Sequence, residues 1–320
     1  MTTLVFLEHH EGELLKPSLG VLSKAASLGG DVAGVIVGNG VEGLAEQAGV
    51  YGAGTVYVAD DARLETPLPQ PRVDVLAQVV RAGGFDNVFL AQSILGADVA
   101  AGLAARLDAG LNWQLTDVRA DGDGLVGTQP VLADTVVCEV GWTSTPRIAL
   151  FRAGALDAKE TGGQATVETV QPDLQDFSLA AEMLEQAHEE ASGPSIEDAD
   201  IIVAGGRGLG GPEGFGPLEE LAKALGGAVA ATRAVVDAGW YPYSAQIGQT
   251  GKTVSPKLYM GFGISGAIQH KVGMQSSNVI VAINKDPNAP IFEFADLAVV
   301  GDVSELVPRL TELVRTRKGA

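Results

Sequence analysis

Short apolar runs alternate with helical patterns from the first residues onward, and this alternation restricts the fold more than any other feature. "TLVFLE", "DVAGVIVG", "TVYVAD" and "NVFLAQ" read as strands. "KPSLGVLSKAASLG", "VEGLAEQAG", "VDVLAQVVRAGG" and "GADVAAGLAARLDAG" read as the helices that separate and follow them. Strand–helix–strand repeats bring consecutive strands side by side in parallel, with helices on the faces of the sheet. The 42 glycines suit the many tight turns this needs. From about 125 to 170 the pattern changes to "GTQPVLADTVVCEV…PRIALFRAG…QATVETV", strands without intervening helices, which predicts an antiparallel extension. A charged stretch with Gly-Pro and no apolar period, "QAHEEASGPSIEDAD" at 186–200, marks a boundary, and the alternation then restarts with "DIIVAGGRG". A chain of 320 residues is long for one ordinary core. The reading is α/β with two domains, 1–190 and 191–320, each a mostly parallel sheet with flanking helices, the second Rossmann-like.

One cysteine, Cys138, excludes an internal disulfide, and its apolar neighbours predict a buried thiol. No apolar run is long enough to span a bilayer and no charged leader precedes one, so a cytoplasmic protein, not membrane-inserted, is expected. Residues 1–192 hold 27 acids against 10 bases, a balance of −17, and residues 193–320 hold 13 against 11, a balance of −2. The acidic part argues against nucleic acid and anionic membranes as partners, and the near-neutral part tolerates an anionic cofactor.

Four constellations carry chemistry. In "IIVAGGRGLGG", Gly206, Gly208 and Gly211 fit G-x-G-x-x-G after a strand and before a helix, where backbone N–H groups approach a pyrophosphate. The acid that holds a ribose in ordinary dinucleotide folds is missing: the second strand ends in Thr232 and Arg233. Arg207 and Arg233, each at a strand end, suit phosphate or electron-rich carbonyls, or else an interdomain salt bridge. The loop "AQIGQTGKTVSP" offers Gln246, Gln249 and Thr250, neutral groups that fit a heteroaromatic ring or a plain surface loop. In "GISGAIQHKVGM", Ser265 reads as the N-cap of a helix whose first amides are those of Gly266, Ala267 and Ile268, with Gln269 and His270 on the next turn. A lone histidine there is structural or a ligand contact, and Asp302 caps a helix or holds a ribose hydroxyl. No Ser–His–Asp set, P-loop, metal-spaced cluster or paired catalytic carboxylate stands out.

"GGRG", "TRAVVDAGW", "QIGQTGKTVSPKLYMGFGISGAIQHKVGM", "VIVAINKDPNAPIFEFAD" and "VVGDVSELVP" occur in this order across 205–308. Together they closely resemble the FAD-binding domain of the electron transfer flavoprotein alpha subunit. The first domain resembles the family more loosely, through "VFLEHHEGELLKPSLGVLSKAASLGGDVAGVIVG". The resemblance implies a heterodimer with a beta subunit and one FAD held by the second domain. It also implies AMP in the beta subunit and not here, and a first domain that contacts the partner and carries no cofactor. Carried over by motif, Arg207 and Ile247, Gly248, Gln249 and Thr250 contact the cofactor, with Thr250 near flavin N5 and Gln246 beside them. Thr232 and Arg233 lie against the ring, the threonine standing where the family commonly has serine. Ser265 to His270 bind the pyrophosphate and ring edge, with His270 donating to the C2 carbonyl side. Asn284, Asp302 and Val303 hold the adenosine portion. The implied role is an electron carrier, not an enzyme. It takes electrons from flavin dehydrogenases such as acyl-CoA dehydrogenases, in fatty acid beta-oxidation, and passes them to a membrane quinone oxidoreductase. An NAD(P)-dependent enzyme, with Arg233 on a 2′-phosphate, and a non-catalytic nucleotide-binding subunit are the competing readings.

Overall fold

The computed structural model describes residues 1–132, 134–185, 195–197 and 199–319. They fall into two compact units, Met1–Gln186 and Ala187–Ala320. The boundary expected between 190 and 191, and most of the charged stretch at 186–200, lie outside the described residues.

In the first unit seven parallel strands lie in the order Thr166–Thr169, Thr55–Asp60, Asp31–Gly38, Thr2–Phe6, Asn87–Ala91, Arg147–Phe151, Leu111–Leu115. Successive side chains point to opposite faces, so Leu4 and Phe6 pack with Val73, Leu76 and Leu103, while Val5 and Leu7 pack with Leu22, Phe89 and Phe151. Both faces are covered: by Lys16–Ser27 and Ala45–Val50 on one side, by Pro69–Gly83 and Ile94–Leu107 on the other. Burial on both faces is why these strands read as unbroken apolar runs.

The antiparallel extension expected over 125–170 is realised only in part. Gly124–Val131 pairs antiparallel with Asp117–Asp121 and Val136–Val140 in a separate three-stranded sheet. Arg147–Phe151 and Thr166–Thr169, however, return to the main sheet as parallel strands. Parallel neighbours need a long crossover, and between Leu111–Leu115 and Arg147–Phe151 the small antiparallel sheet itself is that crossover. The missing helix therefore did not mean antiparallel pairing. Cys138, on Val136–Val140, is half-buried rather than the core thiol expected.

The second unit is built on β1 (Ile201–Gly205), β2 (Ala228–Thr232), β3 (Gln246–Ile247), β4 (Leu258–Phe262), β5 (Ile280–Asn284) and β6 (Leu297–Val300). All pair in parallel in the order β3-β2-β1-β4-β5-β6. That is the strand order of doubly wound dinucleotide-binding sheets, with its reversal between β1 and β4. Its helices are α1 (Phe215–Leu225), the single turns α2 (Arg233–Val236) and α3 (Ile268–Lys271), and α4 (Val303–Lys318). α1 stops at Gly226, left-handed at φ 76°, and α4 starts at Asp302, whose carboxylate accepts the Ser304 N–H at 2.8 Å.

α1 and α4 cover one face, packing Leu218, Leu221, Val303 and Val307 on Val203, Met260 and Phe262. The opposite face, bearing Ile202, Ala204 and Tyr259, is closed by Ile247 of β3 and mainly by loops, which insert Val254, Ile264, Met274, Ala289 and Ile291 into the core. Each of those apolar anchors fixes a loop that a polar surface segment would leave loose, and these loops carry most of the site.

Candidate cofactor site

Where the order reverses, the segments leaving β1 and β4 run against each other. Gly206 N–H donates to Phe262 O at 3.0 Å and Gly208 N–H to Gly263 O at 2.9 Å. A Cβ on Gly208 would lie 2.6 Å from Gly263 Cα, so neither loop has room for a side chain there. Gly263 is also left-handed, at φ 63°. The first two glycines of the motif thus serve a backbone-to-backbone contact. The motif does lie between a strand and a helix, but its glycines are not themselves at the helix N-terminus. The chain makes two 3-10 turns, Arg207–Leu209 and Pro212–Gly214, before α1 opens, because Gly210 and Pro212 interrupt a continuous helix. Gly206 and Gly208 line the cavity described next, and Gly211 does not.

A cavity of about 640 Å³ opens beyond the carboxyl ends of β1, β2, β4 and β5. Arg207 lines it and has no ion-pair partner among the described residues. Thr232 lines it at the end of β2, and Arg233 stands beside it in an exposed ion pair with Asp237 at 3.1 Å. An exposed i,i+4 pair of this kind is weak, so an anion can compete for the guanidinium. Asp237 itself, Gly263, Ile264 and Ala289 also line the cavity and were not anticipated. The spacing of Asp237 four residues after Arg233 was the available signal for that pairing.

Ile247, Gly248, Gln249 and Thr250 form the next wall. Gln249 N–H donates to Gln269 O at 2.7 Å, tying this loop to the α3 segment. Gln246 lies behind the wall, 2% exposed, and does not line the cavity. Its Nε2 donates to Thr250 O at 3.0 Å and to Thr250 Oγ1 at 3.2 Å, and the Tyr243 hydroxyl donates to the same carbonyl at 2.8 Å.

Ser265, Ala267, Gln269 and His270 line the cavity, while Gly266 and the exposed Ile268 do not. Ser265 is not the N-cap expected. α3 begins only at Ile268, with Ala267 at the cap and no side-chain capping bond. The cause is local: Gly266 is left-handed at φ 91°, and Ser265 O accepts the Ile291 N–H at 3.0 Å, which pulls the segment off a helical path.

His270 is buried. Its Nδ1 lies 3.1 Å from Ile247 O and its Nε2 lies 2.7 Å from the hydroxyl of Tyr259, which is fully buried. A carbonyl only accepts, so Nδ1 carries the proton and Nε2 accepts from the phenol. Burial pushes the imidazole down to about 4, partly opposed by the bond to Ile247 O, and burial raises the Tyr259 phenol above its usual range. At neutral pH the pair is uncharged. Both ring nitrogens are engaged within the protein, so the donation into the cavity implied by the resemblance requires the imidazole to release one of them.

Asn284 lines the cavity and spends its Nδ2 on Ile264 O at 2.9 Å, which holds the β4 loop in place. Asp302 is outside the cavity, and the Ser304 N–H and hydroxyl at 2.8 and 2.6 Å occupy one of its oxygens and hold its carboxyl below the usual range. Val303 is outside too, its side chain packed in the core under α4. Among the described residues no cluster of His, Cys, Asp or Glu has metal-site geometry and no helix is long and apolar enough to cross a membrane.

Comparison with known proteins places this geometry in context. Residues 3–175 match the family model of the electron transfer flavoprotein domain, and residues 195–275 that of the electron transfer flavoprotein FAD-binding domain. The chain is 41% identical over 321 residues to the electron transfer flavoprotein subunit alpha of Mycobacterium leprae, covering 99% of each chain. It is 40% identical over 313 residues to the subunit of the same name from Bacillus subtilis, covering 97% of this chain and 96% of the relative. It is 39% identical over 314 residues to Protein FixB of Clostridium saccharobutylicum, covering 96% and 94%.

Proposed function

The chain belongs to the family of electron transfer flavoprotein alpha subunits, and from that premise we propose that it pairs with a beta subunit and holds one FAD in the cavity of its second unit. In this reading it takes electrons from flavin dehydrogenases, acyl-CoA dehydrogenases of beta-oxidation among them. It passes them to a membrane quinone oxidoreductase, works in the cytoplasm and has no substrate chemistry of its own. AMP belongs to the beta subunit. The first domain, taken as 1–190, meets the partner, and 191–320 binds the cofactor.

One observation carries this reading: the polar lining of the cavity suits binding more than catalysis. Arg207 is unpaired among the described residues and Arg233 is only weakly paired, which suits phosphate and the electron-rich carbonyls of a ring. Thr232, Gln249, Thr250, Ser265, Gln269 and Asn284 are neutral, and His270 is uncharged at neutral pH. The two carboxylates that line the cavity, Asp237 and Asp286, are engaged respectively with Arg233 and with the Asn288 N–H at 2.9 Å. Such a donor set fits FAD. When bound, FAD accepts and releases electrons singly. The chain's own residues do the rest: Arg207 holds phosphate, the glycine contact lets backbone approach it, and the Thr250 loop and His270 form a partly desolvated wall. Arg233 and Thr250 are the residues placed to favour negative charge on a reduced ring, and His270 would join them on releasing Tyr259 or Ile247 O.

In the first unit the matching position at the sheet reversal is filled from within. The Glu8 carboxylate, 6% exposed, accepts the Ser93 hydroxyl, with its oxygens at 2.9 and 2.7 Å, at the start of Ile94–Leu107. A carboxylate already seated there, within an acidic unit, supports the view that this half carries no nucleotide.

The test is the visible spectrum of the chain co-purified with its beta subunit, followed by stepwise dithionite reduction. A flavin spectrum, with FAD affinity lowered roughly tenfold or more in Arg207→Ala, is expected for loss of a charged phosphate contact. A complex that stays colourless after FAD is added sinks the reading, and NADH and NADPH binding is then the next measurement.

A further inference from the structure

We propose that Gln246 is a positioning residue that fixes Thr250 as a hydrogen-bond donor into the cavity. The inference rests on the reading of that cavity as a flavin site. Gln246 is at the start of β3 and buried behind the loop it controls. Its amide group donates to both Thr250 O and Thr250 Oγ1. The orientation of that amide follows from chemistry: turned over, its carbonyl oxygen would face the Thr250 carbonyl, acceptor against acceptor. The other end of the side chain bears the cost of this arrangement. Gln246 Oε1 is buried and has no hydrogen-bond partner among the described residues. A buried amide oxygen left unpaired is destabilising, and such groups persist where the rest of the arrangement serves something else.

The consequence lies in the hydroxyl. With one lone pair of Oγ1 taken by the Gln246 N–H, the Thr250 hydrogen has to point away from Gln246. Thr250 lines the cavity, so its O–H is free to turn toward an acceptor that binds there. The Tyr243 hydroxyl, also donating to Thr250 O, fixes the backbone from which this hydroxyl projects. An acceptor on the bound ring is thereby selected over a donor or an apolar edge. On a flavin the ring nitrogen N5 is such an acceptor. In 5-deaza-FAD a C–H replaces it and nothing else in the molecule changes.

The experiment measures the affinity of the flavin-free heterodimer for FAD and for 5-deaza-FAD, by quenching of flavin fluorescence. The readout is the ratio of the two affinities within each variant, so loss of folded protein cancels. The wild type is expected to favour FAD by roughly tenfold, one hydrogen bond's worth. In Gln246→Glu the carboxylate accepts from Thr250, the hydroxyl reverses, and the preference should vanish or invert. Gln246→Met leaves the hydroxyl free to rotate and should retain part of it. Thr250→Val should abolish it, and Gln246→Glu added to Thr250→Val should then change the ratio no further. Gln246→Glu with the wild-type ratio, or a preference that survives in Thr250→Val, overturns the inference alone. A heterodimer that binds neither flavin overturns the flavin reading and the inference with it.

Discussion

Burial sets the charge state of His270, and that choice makes the second unit's stability depend on pH. Its imidazole is held down to about 4 in the fold, against roughly 6.5 in an unfolded chain. Between those values the unfolded chain takes up a proton that the fold refuses. The contribution is therefore fully present above about pH 6.5, declines as pH falls through the window, and levels off below about pH 4. Moving from about pH 7.5 to about pH 5 should cost on the order of 2 kcal/mol from this residue. Denaturant titrations at the two pH values should show a drop smaller by about that amount in His270→Gln, whose amide carries no titrating proton. An equal drop in both proteins would mean that the imidazole is accessible to protons in the folded state. None of this was legible in "AIQHKVGM". The partner that takes Nε2, Tyr259, sits in the middle of a strand whose sequence gives no sign that its hydroxyl faces a histidine eleven residues on. Gln246 was picked out as polar and close to the site, but only its geometry shows that it acts from behind the wall.

At the scale of elements, the contact between the loops after β1 and β4 is the part of the site most exposed to a single added methyl group. Gly208→Ala would set a Cβ 2.6 Å from Gly263 Cα and 2.8 Å from its carbonyl oxygen, backbone atoms that cannot rotate away. The loops must separate, weakening the Gly208 N–H bond to Gly263 O. A loss of about 1–3 kcal/mol in the stability of the second unit is expected, as for other overpacked sites, together with weaker FAD binding. Gly216→Ala on α1, where an added Cβ meets nothing within 4 Å, is the matched control; it should keep or raise stability, by up to about 1 kcal/mol, and leave FAD binding unchanged. Calorimetry and flavin titration of the two variants check this, and equal behaviour would remove the loop contact from the account. The glycine pattern was visible in sequence, but not its use. Periodicity located the strands and long helices because propensity and double burial agree there. It overextended the helix at Ser265, since a hydrogen bond from Ile291, 26 positions further along the chain, decides where α3 begins. It also misread Arg147–Phe151, since pairing direction depends on how the chain returns and not on the residues of the strand.

At the scale of the whole molecule, the two units have separate cores: no residue of the first two apolar clusters belongs to the second two. They also differ in electrostatics, the acid excess residing almost wholly in residues 1–192. A ligand that binds only one unit should stabilise that unit by mass action, by about 2.7 kcal/mol at a hundredfold excess over its dissociation constant. Thermal unfolding of the flavin-free heterodimer, scanned at rising FAD, should therefore contain a transition that climbs with ligand concentration and another that stays fixed. Limited proteolysis of samples held just below each transition should assign the moving one to fragments containing Arg207 to His270. Raising the salt concentration at constant FAD should affect the fixed transition more, because the crowded acids of the first unit repel one another and are screened. A single transition that moves as a whole with FAD would mean that the units unfold together, and that cofactor binding is felt as far as Glu8 and Ser93 despite the separate cores.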